Sequence, residues 1–441
     1  MKLKKITVTK LFGIFRHEIP LNNESRITII IGENGLGKTV LLEMIEAFFK
    51  GRYFYFNNID FENMEFEFDD QIKWILTKKV TKDDTPVLTL SQTNKNKSEY
   101  KPITLNNFEG RDMEMLAMRI SREIPYLRRI GLRTWEDRRT NELVRHEEII
   151  FRYSEYVPND IYLINEEKPK WFNDRHEATK ISLIETQRLI AIEEREDKIH
   201  KRTVEKYSLE LSKTIKSFLT ESTELSSKLD RTFPNRLVDR IKESSDLTDE
   251  HLNNELKRLE KKRELLDAVG LIEIEKDSNI LEIEKPQEVI RDVLMLYVED
   301  SFKKIELFDK IATKIEIFID IINRRFKHKK LYIDKEEGFL FKSTIIKDKK
   351  GNLQRIPVSK LSSGEQNELV LFYLLLFKTE ENSLILIDEP EVSLHISWQN
   401  SFIEDIKQIT KLNNLDVVIA THSPDIISNN WNLKVELKGV E

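Results

Sequence analysis

Cysteine is absent from the 441 residues. That removes disulfides, thiolate nucleophiles and cysteine-held metals, and it suits a reducing compartment. Glycine and proline are scarce, at 12 and 11 residues, which argues against long flexible linkers. No stretch has the apolar length needed to span a bilayer, and the briefly basic start, Met1 to Phe12, lacks the apolar core of a secretory signal. A cytoplasmic location without membrane attachment is therefore expected. Neither sign of charge dominates: 72 Lys and Arg stand against 78 Asp and Glu, so composition makes no global case for nucleic acid. The length suits one elaborated domain or two.

What is present is concentrated near the two ends. Arg26 to Ile31 is a compact β-branched run that reads as a buried parallel strand. From Thr39 onward Leu41, Leu42, Ile45, Phe48 and Phe49 recur at helical spacing. Between them lies Gly32-x-x-x-x-Gly37-Lys38-Thr39, a phosphate-binding loop in its strand–loop–helix setting. Glycines let the backbone wrap a phosphate chain closely, and the helix N-terminus adds its positive dipole end. Lys38 supplies a cation for the β- and γ-phosphates, and the Thr39 hydroxyl suits Mg²⁺.

Three further stretches belong with this loop. Leu384 to Ile387 reads as a central strand ending in Asp388-Glu389, which sets both carboxylates at its C-terminal edge. Asp388 is suited to hold Mg²⁺ and Glu389 to polarise an attacking water. Val417 to Ala420 is a third strand, followed by Thr421-His422-Ser423, where a histidine can reach a γ-phosphate. Leu361 to Gln366 offers small side chains and a helix start, a second anion-binding N-terminus, before an almost wholly apolar helix.

In this order the stretches resemble the ATP-binding-cassette superfamily, in its Rad50/SMC, RecF and OLD-like branch. GENGLGKT is similar to Walker A, LSSGEQ to the signature, LILIDEPEVSLH to Walker B with the D-loop, and ATHSP to the switch histidine. The resemblance implies an α/β fold: a P-loop NTPase head of the ABC type with an antiparallel β-subdomain and an inserted helical or short coiled-coil region. It implies ATP and Mg²⁺ as cofactors, nucleotide contacts at Asn34, Gly35, Leu36, Gly37, Lys38, Thr39 and Val40, and catalysis by Glu389 and His422. Gln187, at the end of the strand in ISLIETQRLI, corresponds to the Q-loop glutamine, which would touch Mg²⁺ together with Thr39 and Asp388. In such proteins two heads enclose two nucleotides, so Ser362, Ser363, Gly364 and Glu365 would act on the partner's site. The D-loop departs from the transporter pattern, with His395 where an aspartate is usual.

The rest of the chain is expected to divide into an N-terminal lobe over 1–192, a helical insert over 193–328 and a C-terminal lobe over 329–441. Met64 to Phe68, Ile72 to Val80 and Val87 to Leu90 alternate as an antiparallel meander. Residues from about Arg111 to Tyr156 read as helical and charged. Their segment Tyr126 to Thr140 carries five arginines, which fits either a phosphate-backbone contact or a solvated face paired with acids such as Glu136 and Asp137. In the insert, Ile199, Val204, Tyr207, Leu211, Ile215, Phe218 and Leu225 recur near heptad spacing. Phe233-Pro234-Asn235 reads as a helix break before a second helix that runs to Leu266. Some thirty helical residues would span roughly 45 Å, as a packed subdomain or a short arm.

The eight histidines form no nuclease-like cluster, and no Toprim nuclease domain of the OLD kind is expected after His422. The arrangement resembles stand-alone AAA ATPases of bacterial anti-phage operons, such as the Septu or retron-associated ATPase. That implies a homodimer, or higher homo-oligomer, controlling a separate effector such as a nuclease. A DNA-repair head of the RecF or Rad50 type, touching DNA, is a second expectation. A transporter energy subunit is a third, disfavoured by the large charged insert.

Overall fold

The computed structural model describes residues 2–80, 86–94, 100–105, 110–124, 126–138, 142–146, 148–149, 153, 168–186, 192–193, 201–242, 248–273 and 287–439. The chain forms two compact units, residues 1–187 with 379–441, and residues 188–378.

In the first unit, β-branched runs build a five-stranded parallel sheet in the order Ile181–Glu185, Leu384–Asp388, Asp416–Ala420, Ile27–Ile31, Lys434–Glu436. Leu384–Asp388 is buried along its whole length, as an apolar run in a parallel sheet should be. The register sets Asp388 level with Glu185 and Ala420, and Ala420 level with Ile30. The segments that leave these strands, beginning at Thr186, Glu389, Thr421 and Gly32, therefore start along one sheet edge, the edge where α/β sheets take ligands.

A six-stranded antiparallel sheet lies in the same unit, ordered Phe15–Pro20, Leu3–Leu11, Asn63–Phe68, Lys73–Val80, Pro86–Thr93, Ile103–Thr104. The expected alternation is visible as Met64, Phe66 and Phe68 buried with Glu65 and Glu67 between them half-exposed. Helix Lys38–Phe49 contributes Leu41, Leu42, Met44, Ile45 and Phe48 to a core shared with both sheets. Each such side chain is worth about 1.5–3 kcal/mol on full burial.

The stretch 111–156 departs from the helical expectation. Helix Gly110–Glu123 is followed by three short antiparallel strands, Leu127–Arg129, Thr134–Asp137 and Glu142–Arg145. Strands of three or four residues are too short to show a period in sequence, but Leu127, Trp135 and Val144 close a small core with Leu116, Ala117 and Ile120. Arg129 bonds Glu114 at 2.8 Å and lies 5.5 Å from the Trp135 ring. Arg139 and Thr140 lie outside the described residues.

The second unit is helical, with helices Thr203–Lys242, Asp249–Ala268, Glu288–Glu306 and Asp309–Arg325 and an antiparallel sheet of Lys329–Asp334, Gly338–Lys347 and Leu353–Ile356. Its longest helix has 40 residues, about 60 Å of rise. Ion pairs Asp230–Lys304, Arg236–Asp300 and Arg240–Asp292 set this helix antiparallel to Glu288–Glu306, against which Asp249–Ala268 also packs, through Arg291–Asp249 and Arg258 over the Phe302 ring. The expected break at Pro234 does not occur; the helix runs through it. Two carbonyls in the preceding turn also take side-chain contacts: Thr232 Oγ1 lies 3.1 Å from the Lys228 carbonyl and Arg236 Nη2 donates to that of Leu229 at 2.9 Å. The signature segment lies in this unit and starts helix Ser363–Tyr373.

Candidate nucleotide site

The loop after Ile27–Ile31 needs glycine at particular places. Gly35 and Gly37 have φ of +87° and +80°, left-handed values that suit a residue without a side chain. A Cβ on Gly37 would stand 2.9 Å from both Leu11 Cδ2 and Phe12 Cε2, so no other residue fits there without a shift. Asn34 is exposed, Leu36 is buried, and Val40 packs against the main core. His17, buried on the neighbouring sheet, holds the loop from beneath: its Nε2 lies 2.8 Å from the Leu36 carbonyl. Burial drives the His17 pKa down against that bond, so the ring is neutral and Nε2–H donates.

Lys38 Nζ donates to the carbonyls of Gly32 at 2.8 Å and Glu33 at 3.0 Å, and stands 3.4 Å from His422 Nδ1. Burial lowers its pKa, opposed by the charges of Glu389, Asp388 and Glu391. Helix Lys38–Phe49 then presents the next residue, Thr39, to the second strand, where its hydroxyl bonds Asp388.

Asp388 closes a fully buried strand and is itself buried. Burial raises its pKa to about 6; the Thr39 bond opposes the rise, and Glu389, Glu43 and Glu391 add to it. One carboxylate oxygen, Oδ1, is buried with no hydrogen-bond partner. An orphaned carboxylate oxygen beside a hydroxyl is a donor set that fits Mg²⁺, which takes one or two protein oxygens and fills its octahedron with water and phosphate. Among the described residues no three His, Asp or Glu side chains converge as a separate metal cage. Bound there, the ion would draw charge from the phosphates.

Glu389 has φ 45° and ψ 56°, a left-handed backbone that costs a non-glycine residue energy and is common at functional positions. The surroundings enforce it. Its N–H donates to the Ala420 carbonyl at 2.9 Å, and the buried Thr186 hydroxyl lies 2.8 and 2.6 Å from the carbonyls of Asp388 and Glu389. Ser393 Oγ in turn donates to the Thr186 carbonyl at 2.8 Å. His422 Nε2 is 3.9 Å from Glu389 Oε1, so its two ring nitrogens look toward Lys38 and Glu389. Gln187 lies outside the described residues. His395 caps helix Ile396–Asn413, with Ser397 N–H donating to its Nδ1 at 3.3 Å.

In the second unit Ser362 caps helix Ser363–Tyr373 in a reciprocal box with Glu365. The Ser362 N–H donates to Glu365 Oε2 at 2.9 Å and the Glu365 N–H to Ser362 Oγ at 3.4 Å. Burial would raise the Glu365 pKa, but Lys329 Nζ, 2.8 Å from Oε1, and the Ser362 bonds outweigh it and hold the carboxyl below its usual range. Ser362 and Ser363 are exposed, and a Cβ on Gly364 would meet nothing within 4 Å.

The structure thus brings Lys38, Thr39, Asp388, Glu389 and His422 together in one unit and holds Ser362 to Glu365 in the other. Sequence reasoning missed His17, Thr186 and Gln399, and gave Glu391 no role. His17 and Thr186 bond carbonyls distant in sequence, and Glu391 and Gln399 bond residues 421–423, contacts that leave no local pattern.

A parallel sheet whose strand ends carry a glycine loop with its lysine, an Asp–Glu pair and a histidine defines a P-loop nucleoside triphosphatase. The chain belongs to the AAA ATPase domain family, which matches residues 1–427. Over 76 residues it is 34% identical to protein ea59 of Escherichia phage lambda; the match spans 17% of this chain and only 14% of that protein. Among solved structures it is similar to the Smc head domain of Pyrococcus furiosus, with an extended coiled coil and the ScpA C-terminal domain bound, at 13% identity and a TM-score of 0.30 over 96% of this chain and 90% of that one. The SMC head domain of Thermotoga maritima gives 10% identity and 0.29 over 97% and 91%. No helix among the described residues is long and apolar enough to cross a membrane.

Proposed function

We propose that the chain is an Mg²⁺-dependent ATPase whose copies pair around ATP and control a separately encoded effector, a nuclease, in bacterial defence against phage. One observation carries the hydrolytic part. Lys38, His422 and Glu389 form a continuous run of contacts, with Thr39 and the orphaned Asp388 oxygen beside it. In this reading Lys38 takes the β- and γ-phosphates, Thr39 and Asp388 hold the cation, Glu389 orients the attacking water, and His422 meets the γ-phosphate. Gln187 adds a cation contact by resemblance.

Pairing is supported by exposed apolar side chains on segments near the nucleotide loop and after Glu389, Phe12 and Ile14, and Val392 and Ile396, which are among those left exposed in the first unit. It is supported too by the exposed serines of the signature cap, suited to a phosphate on another copy. The effector and the defence role rest on the resemblance of the motifs. A second reading, a repair head that acts on DNA directly, draws on Arg128, exposed on the small three-stranded sheet, and Arg133, exposed in the turn before its strand Thr134–Asp137.

Mixing two inactive variants tests the pairing. Lys38→Ala has no working phosphate loop and Ser362→Arg no working signature, so each homodimer is dead. A heterodimer regains one intact composite site, and phosphate release should reappear on mixing. A mixture as inactive as its parents, under conditions where copies demonstrably exchange, would end the shared-site reading. Co-purification with the product of an adjacent gene tests the effector.

A further inference from the structure

We propose that Glu391 is a positioning residue for the switch histidine, fixing His422 through its backbone rather than through its ring. The proposal rests on the ATPase reading of the site. Both Glu391 oxygens are committed: Oε1 accepts the His422 N–H at 2.7 Å and Oε2 accepts the Thr421 hydroxyl at 2.7 Å. A second tie runs beside the first. The buried Gln399 donates through Nε2 to the Leu394 carbonyl at 3.3 Å and accepts the Ser423 hydroxyl at 2.6 Å. Ser423 N–H also donates to Thr421 Oγ1 at 3.0 Å. Three consecutive residues, 421 to 423, are therefore bound to the segment 391–399 that directly follows Glu389.

The polar partners of the His422 ring among the described residues, by contrast, are Lys38 and Glu389, at 3.4 and 3.9 Å, and its side chain is about a third exposed. Such long ring contacts cannot hold an imidazole in place, whereas a charge-assisted bond at 2.7 Å on its own N–H fixes the Cα from which the ring hangs. Without Glu391 that N–H loses its carboxylate partner at a strand end, and the turn is left to the Gln399–Ser423 tie and the Thr421 N–H bond to Ile30, neither of which fixes residue 422 itself. A shift of about 1 Å in a reacting group is enough to cost up to about a hundredfold in rate. Glu391 touches neither ring nor phosphate; it acts through His422.

The test is a double-variant cycle on the full chain, with ATP turnover and fluorescent ATP-analogue binding both measured. Glu391→Ala should lower kcat at least about tenfold and leave the KM for ATP within about twofold, since only the aim of His422 changes. Glu391→Gln should lose less than Glu391→Ala, because its amide oxygen can accept the His422 N–H while its NH2 donates to the Thr421 hydroxyl, so that both contacts survive without the charge. In a His422→Ala background, Glu391→Ala should cost less than about twofold more, because nothing remains to be positioned. Multiplying losses would overturn the proposal, as would wild-type turnover by Glu391→Ala or by His422→Ala. If Glu391→Ala does not fold, Thr421→Val removes one of the two Glu391 bonds, together with the Ser423 N–H bond to the same hydroxyl, without altering charge; it should lower kcat about two- to fivefold with the same collapse in the His422→Ala background, and losses that multiply there count equally against the proposal. Failure of the underlying site is read separately, by wild-type turnover in Glu389→Gln.

Discussion

The two units use charge in opposite ways. At the strand ends of the first unit the ionised forms are held at a disadvantage: burial pushes Asp388 up to about 6 and Lys38 down from its usual value. In the second unit burial also works against ionisation, yet partners overcome it. Arg236 forks onto Asp300 at 2.6 Å through both nitrogens and brings that carboxyl below its usual range, and Lys329 does the same for Glu365. The first pattern stores unsatisfied charge where a phosphate and a cation would discharge it; the second spends charge on holding helices together. Perturbation alone does not mark a site. Its direction does.

The largest effect that could break this comparison is at the first site. Glu389→Gln should keep ATP binding and lose about 10²–10⁴-fold in turnover, while Lys38→Ala loses binding outright. Both should melt within about 0.5 kcal/mol of wild type, because these charges do not hold the fold. Phosphate release, analogue binding and a thermal melt on the same samples decide it. A melt that falls in step with activity would show that the strand-end charges are structural after all.

The opposite outcome is expected in the second unit. Arg325 and Glu368 form an ion pair whose side chains are 4% and 0% exposed, and the guanidinium also lies 4.8 Å from the Phe372 ring. Arg325→Met strips the buried carboxylate of this cation and should destabilise the protein by about 3–5 kcal/mol. Urea unfolding followed by circular dichroism measures it. A loss under about 1 kcal/mol would mean that water reaches Glu368 and that the second unit does not depend on satisfied pairs.

This contrast also explains what the sequence disclosed. The glycine loop, the Asp388-Glu389 strand end and Thr421-His422-Ser423 were legible because backbone chemistry forces residue types into short, ordered patterns. The meander over 63–93 was legible because alternation reports a half-buried sheet directly. The small sheet over 127–145 was hidden, since three- and four-residue strands rich in arginine resemble a charged helix. Long-range ties were hidden as well. Nothing near Thr186 or His17 announces a bond to a carbonyl at 389 or 36.

A smaller effect separates the apolar core of the first unit from both charge schemes. His176 stacks on Phe172 at a 4.9 Å centroid distance and sits 3.3 Å from the Phe48 carbonyl. Burial drives its pKa to about 4 against that carbonyl, and Lys168 adds to the fall. The unfolded chain titrates near 6.5. Because the folded value is depressed, the stability His176 contributes is fully present above pH 6.5 and is lost as pH falls toward 4. The ring is partly exposed, so the loss should be about 2 kcal/mol rather than the full shift. His176→Phe should flatten that part of the pH–stability curve; parallel curves for the two proteins would remove His176 from the account.

The smallest effect concerns the helix that should have broken. Pro234 sits inside Thr203–Lys242, where a proline lacks the N–H for the preceding turn and its ring crowds the carbonyl four residues back. In an exposed helix interior such a proline costs up to about 3 kcal/mol relative to alanine. The carbonyl it leaves without a ladder N–H is that of Asp230, and part of the cost is offset because Arg236, two residues on, clamps Asp300. Pro234→Ala restores the ladder bond but straightens the turn from which Arg236 reaches across. If satisfied pairs are what hold this unit, the two effects oppose each other, and the variant should gain only about 1 kcal/mol in urea unfolding. In an Arg236→Ala background, with no clamp to disturb, the same substitution should gain about 2–3 kcal/mol. Equal gains in both backgrounds would mean that the proline is merely tolerated and has no part in aiming the arginine.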